Sequence, residues 1–207
     1  MVGVTGLSGA GKTSLADVIM GLLPVDSGRI MLDGKEITPD NIYSYRQLIS
    51  YVPQDMNILD DSYKNNVAWG LYNEQIKTEK VKECLIKSQL YEYVEANGGI
   101  DSVVTGLSQG QKQRLLIARA LYKDPEIIIF DEATSALDAE TEKEIMQMLT
   151  NIKEEKTIIL IAHRLTTLKD CDKLIYIKDG EIADIGSFCE IENRNEDFKN
   201  LIKISKI

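Results

Sequence analysis

Gly6-Leu7-Ser8-Gly9-Ala10-Gly11-Lys12-Thr13 is the stretch on which the fold turns. It fits G-x-x-x-x-G-K-[ST], a loop whose backbone N–H groups surround phosphates. Gly6, Gly9 and Gly11 keep side chains out of that cradle. Lys12 supplies a point charge for the β- and γ-phosphates, and the Thr13 hydroxyl offers a hard oxygen to Mg²⁺. Leu7, Ser8, Ala10 and Ser14 complete the candidate binding segment. The flanks agree with this reading. Met1-Val2-Gly3-Val4 is a short apolar strand entering the loop. Leu15, Val18, Ile19 and Leu22 then recur on one helical face, and the reading ends that helix at Pro24. The helix N-terminus, with its unpaired N–H groups, points at the phosphates.

Outward from the loop, strand and helix patterns alternate. Arg29–Ile37 reads as a hairpin about Asp33-Gly34, and Ile49-Ser50-Tyr51-Val52 as a strand stopped by Pro53. The stretch from about Asp55 to Tyr122 is mostly helical and polar, with breaks at Trp69-Gly70 and Asn97-Gly98-Gly99. Glu126-Ile127-Ile128-Ile129-Phe130 and Thr157-Ile158-Ile159-Leu160-Ile161 are continuous apolar runs, expected as strands buried on both faces. Between them, Ile145, Met148, Leu149 and Ile152 share a helical face. Lys173–Ile185 reads as a second hairpin about Asp179-Gly180, and Phe198, Leu201 and Ile202 lie on one face of a last helix. The expectation is one α/β domain over 1–207: a mostly parallel sheet core, about 1–54 and 121–207, with a helical subdomain inserted at about 55–120.

Bulk properties narrow the function. The 207 residues suffice for one domain, and 43% apolar with 28% charged content marks a globular chain. A net charge of −9 argues against a nucleic-acid surface, which needs a basic stripe. No apolar run reaches the length of a membrane span, so any membrane role is expected through a partner. Cys84, Cys171 and Cys189 have no metal-ligand spacing and are expected reduced, in a cytosolic setting.

Further residues carry chemistry. Asp131 and Glu132 end a buried strand, where ligands of parallel sheets sit. One acid there can hold Mg²⁺ and the other can activate a water. Ser108 and Gly110, in Leu107-Ser108-Gln109-Gly110-Gln111, open a helix running to about Tyr122. That helix start is a second anion site, and one triphosphate does not need two, so a second copy's nucleotide is the economical ligand. His163, the only histidine, follows a buried strand within reach of a γ-phosphate, and Gln54 follows Pro53 with a carbonyl for Mg²⁺.

Together these residues resemble the ATP-binding-cassette family, across essentially the whole chain. In order they match its phosphate loop (Gly6–Thr13), its Q-loop glutamine (Gln54) and its signature stretch (Leu107–Gln111). Asp131 and Glu132, then Ser135-Ala136-Leu137-Asp138 as the D-loop, and His163 as the switch histidine complete the match. The resemblance implies two domains paired head to tail around two ATP molecules. It implies Lys12 on the phosphates, Thr13, Gln54 and Asp131 at Mg²⁺, Glu132 as general base, and His163 at the γ-phosphate. Ser108, Gly110 and Gln111 would meet the nucleotide of the other copy, and Asp138 would link the two sites. Gln54 to Gly70 and Asp179 to Ser187 look like the exporter branch, in which the former region meets a transmembrane domain at the cytoplasmic face of the membrane.

Three departures stand beside the match. Family members usually carry strands and an adenine-stacking aromatic before the loop, whereas only Met1 to Thr5 precede it here. Weaker ATP binding, and hairpins at Arg29–Ile37 and Lys173–Ile185 that lack sheet partners, are therefore expected. Gln109 stands where Gly is commonest, and Val103-Val104-Thr105-Gly106 runs almost directly into Leu107 where exporters have a longer loop. The main expectation is an ATPase domain powering export. The alternatives are an ATP-binding-cassette ATPase not coupled to transport, and a non-hydrolysing ATP-binding module.

Overall fold

A computed structural model describes residues 1–133, 137–162 and 164–205. The chain opens with β1 (Val2–Thr5), the phosphate loop and α1 (Lys12–Ile19). A small hairpin, β2 (Met31–Leu32) and β3 (Lys35–Glu36), leads to α2 (Ile42–Gln47) and β4 (Ile49–Val52). Next come α3 (Tyr63–Val67), α4 (Thr78–Lys87), α5 (Tyr91–Ala96) and α6 (Gln109–Tyr122). The chain then returns to the sheet through β5 (Ile127–Asp131), α7 (Ala139–Ile152), β6 (Thr157–Ile161) and α8 (Leu165–Leu168). It closes with β7 (Lys173–Lys178), β8 (Glu181–Gly186), α9 (Phe188–Arg194) and α10 (Glu196–Ser205).

Among the described residues, six strands form one sheet in the order β4-β5-β6-β1-β7-β8. All neighbours run parallel except β8, which folds back on β7. The architecture is the mostly parallel α/β core with a helical insert that the sequence patterns predict. Strand alternation divides the sheet's apolar residues between two layers. Val4, Ile127, Ile129, Ile161 and Ile177 pack with Ala16 and Met20 of the α1 side. Val52, Ile128, Phe130, Ile158 and Leu160 pack with Leu115, Leu116, Ile145 and Leu149 of α6 and α7 on the other. Strand β5, flanked by β4 and β6, is buried along its whole length, which explains why its sequence is an unbroken apolar run.

The structure corrects several expectations. Helix α1 stops at Ile19, well before Pro24. The cause is Gly21, whose φ of 67° ends the helix in a left-handed turn. Its N–H donates to Val18 O at 2.9 Å, and the Leu22 N–H to Asp17 O at 2.8 Å, the two bonds of a Schellman cap. Leu22, placed by periodicity on the inner face, is consequently exposed, and Ala16 and Met20 fill that role. The Lys173–Ile185 hairpin does not lack a partner either: β7 is bonded on one side to β1 and on the other to β8. The β2–β3 hairpin pairs only with itself, and Met31 stays exposed. Helix α9 was not foreseen, although Ser187 and Glu190 form a capping box at its start, a pattern the sequence carries.

Candidate functional site

Four parallel neighbours, β4, β5, β6 and β1, end on the same edge of the sheet, and the register sets their ends level. Val4 lies opposite Ile161, Ile161 opposite Asp131, and Val52 opposite Phe130. The residues that follow these strands therefore meet: Gly6 after β1, Pro53 and Gln54 after β4, and Glu132 after β5. His163 lies outside the described residues, immediately after Ala162 at the end of β6.

The loop between β1 and α1 is shaped by its glycines, but not all for one reason. Gly9 and Gly11 have φ of 78° and 102°. Gly6 instead makes room for a neighbouring strand. A Cβ there would stand 2.2 Å from the carbonyl oxygen of Ile177 in β7. The β7–β8 turn also supports the loop directly, with the Gly180 N–H donating to Ala10 O at 3.1 Å. Lys12 is buried, and its Nζ donates to the carbonyls of Gly6 and Leu7, both at 3.1 Å. Burial holds its ammonium pKa below the usual lysine value, and the nearby Glu132 and Asp131 carboxylates partly offset this. The strand register, which sets Val4, Ile161 and Asp131 level, puts these acids on the same edge of the sheet as the loop. Leu7, Ser8, Thr13 and Ser14 are exposed around the loop and in the first turn of α1.

Asp131 is buried, and one of its oxygens, Oδ2, accepts from the Tyr51 hydroxyl at 2.9 Å. Burial, and then this bond, raise the pKa of the Tyr51 phenol. Glu132 takes a left-handed backbone conformation, φ 49°, while its N–H still donates to Ile161 O at 2.8 Å. An L-residue in that region costs about 1–2 kcal/mol, so the turn that aims this acid is held by its surroundings. Gln54 is exposed just beyond β4. Among the described residues no cluster of three or more His, Cys, Asp or Glu side chains could hold a metal alone. The donor set of Thr13, Gln54 and Asp131 fits Mg²⁺, a hard ion that takes oxygen donors and is bound through one or two carboxylates together with substrate phosphates.

Ser108 and Gln111 sit apart from this cluster, at the N-terminus of α6. The Ser108 Oγ accepts from the Gln111 N–H at 3.2 Å, and the Gln111 Oε1 accepts from the Ser108 N–H at 2.9 Å, a capping box. No hydrogen bond of Ser108, Gly110 or Gln111 reaches the phosphate loop among the described residues. The signature turn packs instead on α7: a Cβ on Gly110 would stand 2.5 Å from Thr141 Cγ2. Asp138 caps α7, accepting from the N–H groups of Glu140 and Thr141 and from the Thr141 hydroxyl at 3.1, 3.0 and 2.8 Å. Those bonds hold its carboxyl below the usual range, the Thr141 N–H contributing most. Ser135 and Ala136 of the D-loop lie outside the described residues.

Three side chains that sequence reasoning passed over belong to the same region. Tyr51 contacts Asp131, as above. Glu142, buried in α7, accepts from Arg164 at 2.8 Å and from the Thr167 hydroxyl. Arg164 also donates to Leu137 O at 3.0 Å, tying the segment after His163 to the D-loop. The acid-to-base separation, 22 positions from Glu142 to Arg164, leaves no local pattern to read.

Comparison with known proteins agrees with this geometry. A family model described as "ABC transporter" matches residues 1–135. An "ATP-dependent lipid A-core flippase" of Pasteurella multocida (strain Pm70) is 37% identical over 205 residues, covering 97% of this chain and 35% of that protein. One of Francisella novicida is 39% identical over 198 residues, covering 92% and 33%. A solved structure described as "Structure of a bacterial Atm1-family ABC exporter with ATP bound" superposes with a TM-score of 0.88 at 32% identity, over 100% of this chain and 36% of that one. The chain thus spans 33–35% of the length of these curated relatives.

Proposed function

Because the chain belongs to the ABC transporter family, we propose that it is the domain that binds and hydrolyses ATP to power an exporter. The observation that carries this is the level ends of β1, β6 and β5, which set the loop bearing Lys12 and the acids Asp131 and Glu132 on one edge of the sheet. Lys12 binds the β- and γ-phosphates, and the loop N–H groups from Gly6 to Thr13 enclose them. Thr13 and Gln54 hold Mg²⁺, with Asp131 assisting. When bound, the ion would supply neutralising charge at the phosphates. Glu132 accepts a proton from the attacking water, and His163 hydrogen-bonds the γ-phosphate. Ser108, Gly110 and Gln111 of a second copy close the site, each copy supplying the anion-binding helix start of α6 to the other. Asp138 lies between the two sites. In this division of labour, residues about 1–54 and 121–207 form the catalytic core and about 55–120 the helical subdomain.

No helix among the described residues is long and apolar enough to cross a membrane. A transmembrane partner, in the same or another chain, is therefore part of the proposal and sets the domain at the cytoplasmic face. A groove of about 1090 Å³ beside β4 fits such a partner, lined by Tyr43, Tyr51, Trp69, Leu71 and Arg119. Tyr43, Trp69 and Leu71 are exposed apolar groups, a feature of interaction surfaces. The relatives named above are described as lipid A-core flippases and an ABC exporter, which favours this reading over an ATPase unconnected with transport.

ATP turnover by the chain and by Glu132→Gln tests the reading. The chain should hydrolyse ATP, and Glu132→Gln should lose about 100-fold or more in rate while forming a dimer with ATP present. Absence of turnover in the chain, together with no ATP-dependent dimer for Glu132→Gln, would sink it. ATP binding without turnover would point to the non-hydrolysing module.

A further inference from the structure

Tyr51 is absent from the chemistry assigned so far, yet its position is dictated by the sheet. Strand alternation puts Ile49 and Tyr51 on the α1 side of β4, while Ser50 and Val52 face α6. Ser50 donates to Ala120 O in α6 at 2.9 Å, and Val52 joins the apolar layer there. On β5, Ile127 and Ile129 face α1, so Asp131, two residues on, faces the same way. Tyr51 is in register with Ile129. Its ring therefore lies one step behind Asp131 on the same face of the neighbouring strand, and the hydroxyl reaches Oδ2 at 2.9 Å. The length of the tyrosine side chain and its terminal donor span that diagonal. Its bond engages Oδ2 and restrains the carboxylate.

We propose that Tyr51 is a positioning residue for the metal site, orienting Asp131 so that one oxygen is presented to Mg²⁺. This rests on the ATP-binding reading above. Outer-shell hydrogen bonds of this kind tune metal affinity, and their loss costs about 10- to 100-fold. Tyr51→Phe keeps the ring and its packing but removes the donor. The probe is the β,γ-imido analogue of ATP, which is not hydrolysed. Its binding is measured in EDTA and over graded free Mg²⁺, with thermal unfolding of each variant followed in parallel. In Tyr51→Phe the free Mg²⁺ at half-effect should rise about tenfold, with the affinity in EDTA and the unfolding temperature unchanged. In an Asp131→Asn background, Tyr51→Phe should have no further effect. An unchanged Mg²⁺ dependence, or equal losses with and without Mg²⁺, overturns the role of Tyr51 while leaving ATP binding intact. Failure of the unaltered chain to bind the analogue at all removes the ATP reading and this proposal with it.

Discussion

At the scale of single residues, two glycines do different work than their motifs imply. Gly6 belongs to a phosphate-binding pattern, but its missing Cβ is demanded by the Ile177 carbonyl of β7. Gly110 belongs to the signature stretch, but its missing Cβ is demanded by Thr141 of α7. Gly110 therefore sets how closely the signature turn approaches the helix that Asp138 caps. Gly110→Ala should destabilise the chain by about 1–3 kcal/mol through overpacking, measured by urea unfolding. Thr141→Ala removes the clashing methyl group, so the double variant should lose less than the sum of the singles. Strict additivity would mean the contact is not the cause. These constraints were invisible in the sequence, because a glycine's neighbours in space come from elements far away along the chain.

At the scale of elements, α6 is the connecting piece. Its first turn presents Ser108 and Gly110, its middle packs against the sheet, and its last turns carry Arg119. The Arg119 guanidinium donates to Asn66 O at 2.7 Å, and to Asn57 O and Asn66 Oδ1 at 2.9 Å each. It also stacks over the Trp69 ring, 4.2 Å from the centroid. Burial lowers its pKa to about 10, so it remains charged at neutral pH. Asn66 is itself fully buried, and its amide donates to the carbonyls of Leu59, Asp61 and Ser62. This network holds the segment between β4 and α3 against α6, at the rim of the groove proposed for a partner. Arg119→Met should cost about 2–3 kcal/mol, the worth of a charged group's hydrogen bonds, again by urea unfolding. Arg119→Lys should recover little, since a lysine cannot make the forked set of bonds. The helical character of this region and the course of α6 were legible in the sequence. The staple was not, because Arg119 and Asn66 are 53 residues apart.

At the scale of the whole molecule, burial sorts the three cysteines. Cys84 and Cys171 lie in the core, and burial pushes their thiols up to about 11 and about 12. Cys189 is exposed in the first turn of α9. Thiolate is the reactive form, so at pH 8 a disulfide reagent should modify one thiol quickly. The other two should react only on unfolding in denaturant, and rapid reaction of all three in the native chain would contradict the packing described. The same global view separates what was readable in advance from what was not. By itself the sequence determined the fold class and the family, and it singled out Gly6–Thr13, Asp131 and Glu132 as candidate site residues. Each rests on local chemistry: residue type, spacing, or an apolar run set by burial. The tertiary structure alone decided that β7 joins the sheet beside β1, that α1 ends at Gly21, and that Tyr51 reaches Asp131. It also decided that Gly6 and Gly110 serve packing and that Arg164 ties Leu137 to Glu142. These depend on strand order, register and close approach between distant segments. Such contacts come into being only when the sheet assembles, so no stretch of sequence carries them.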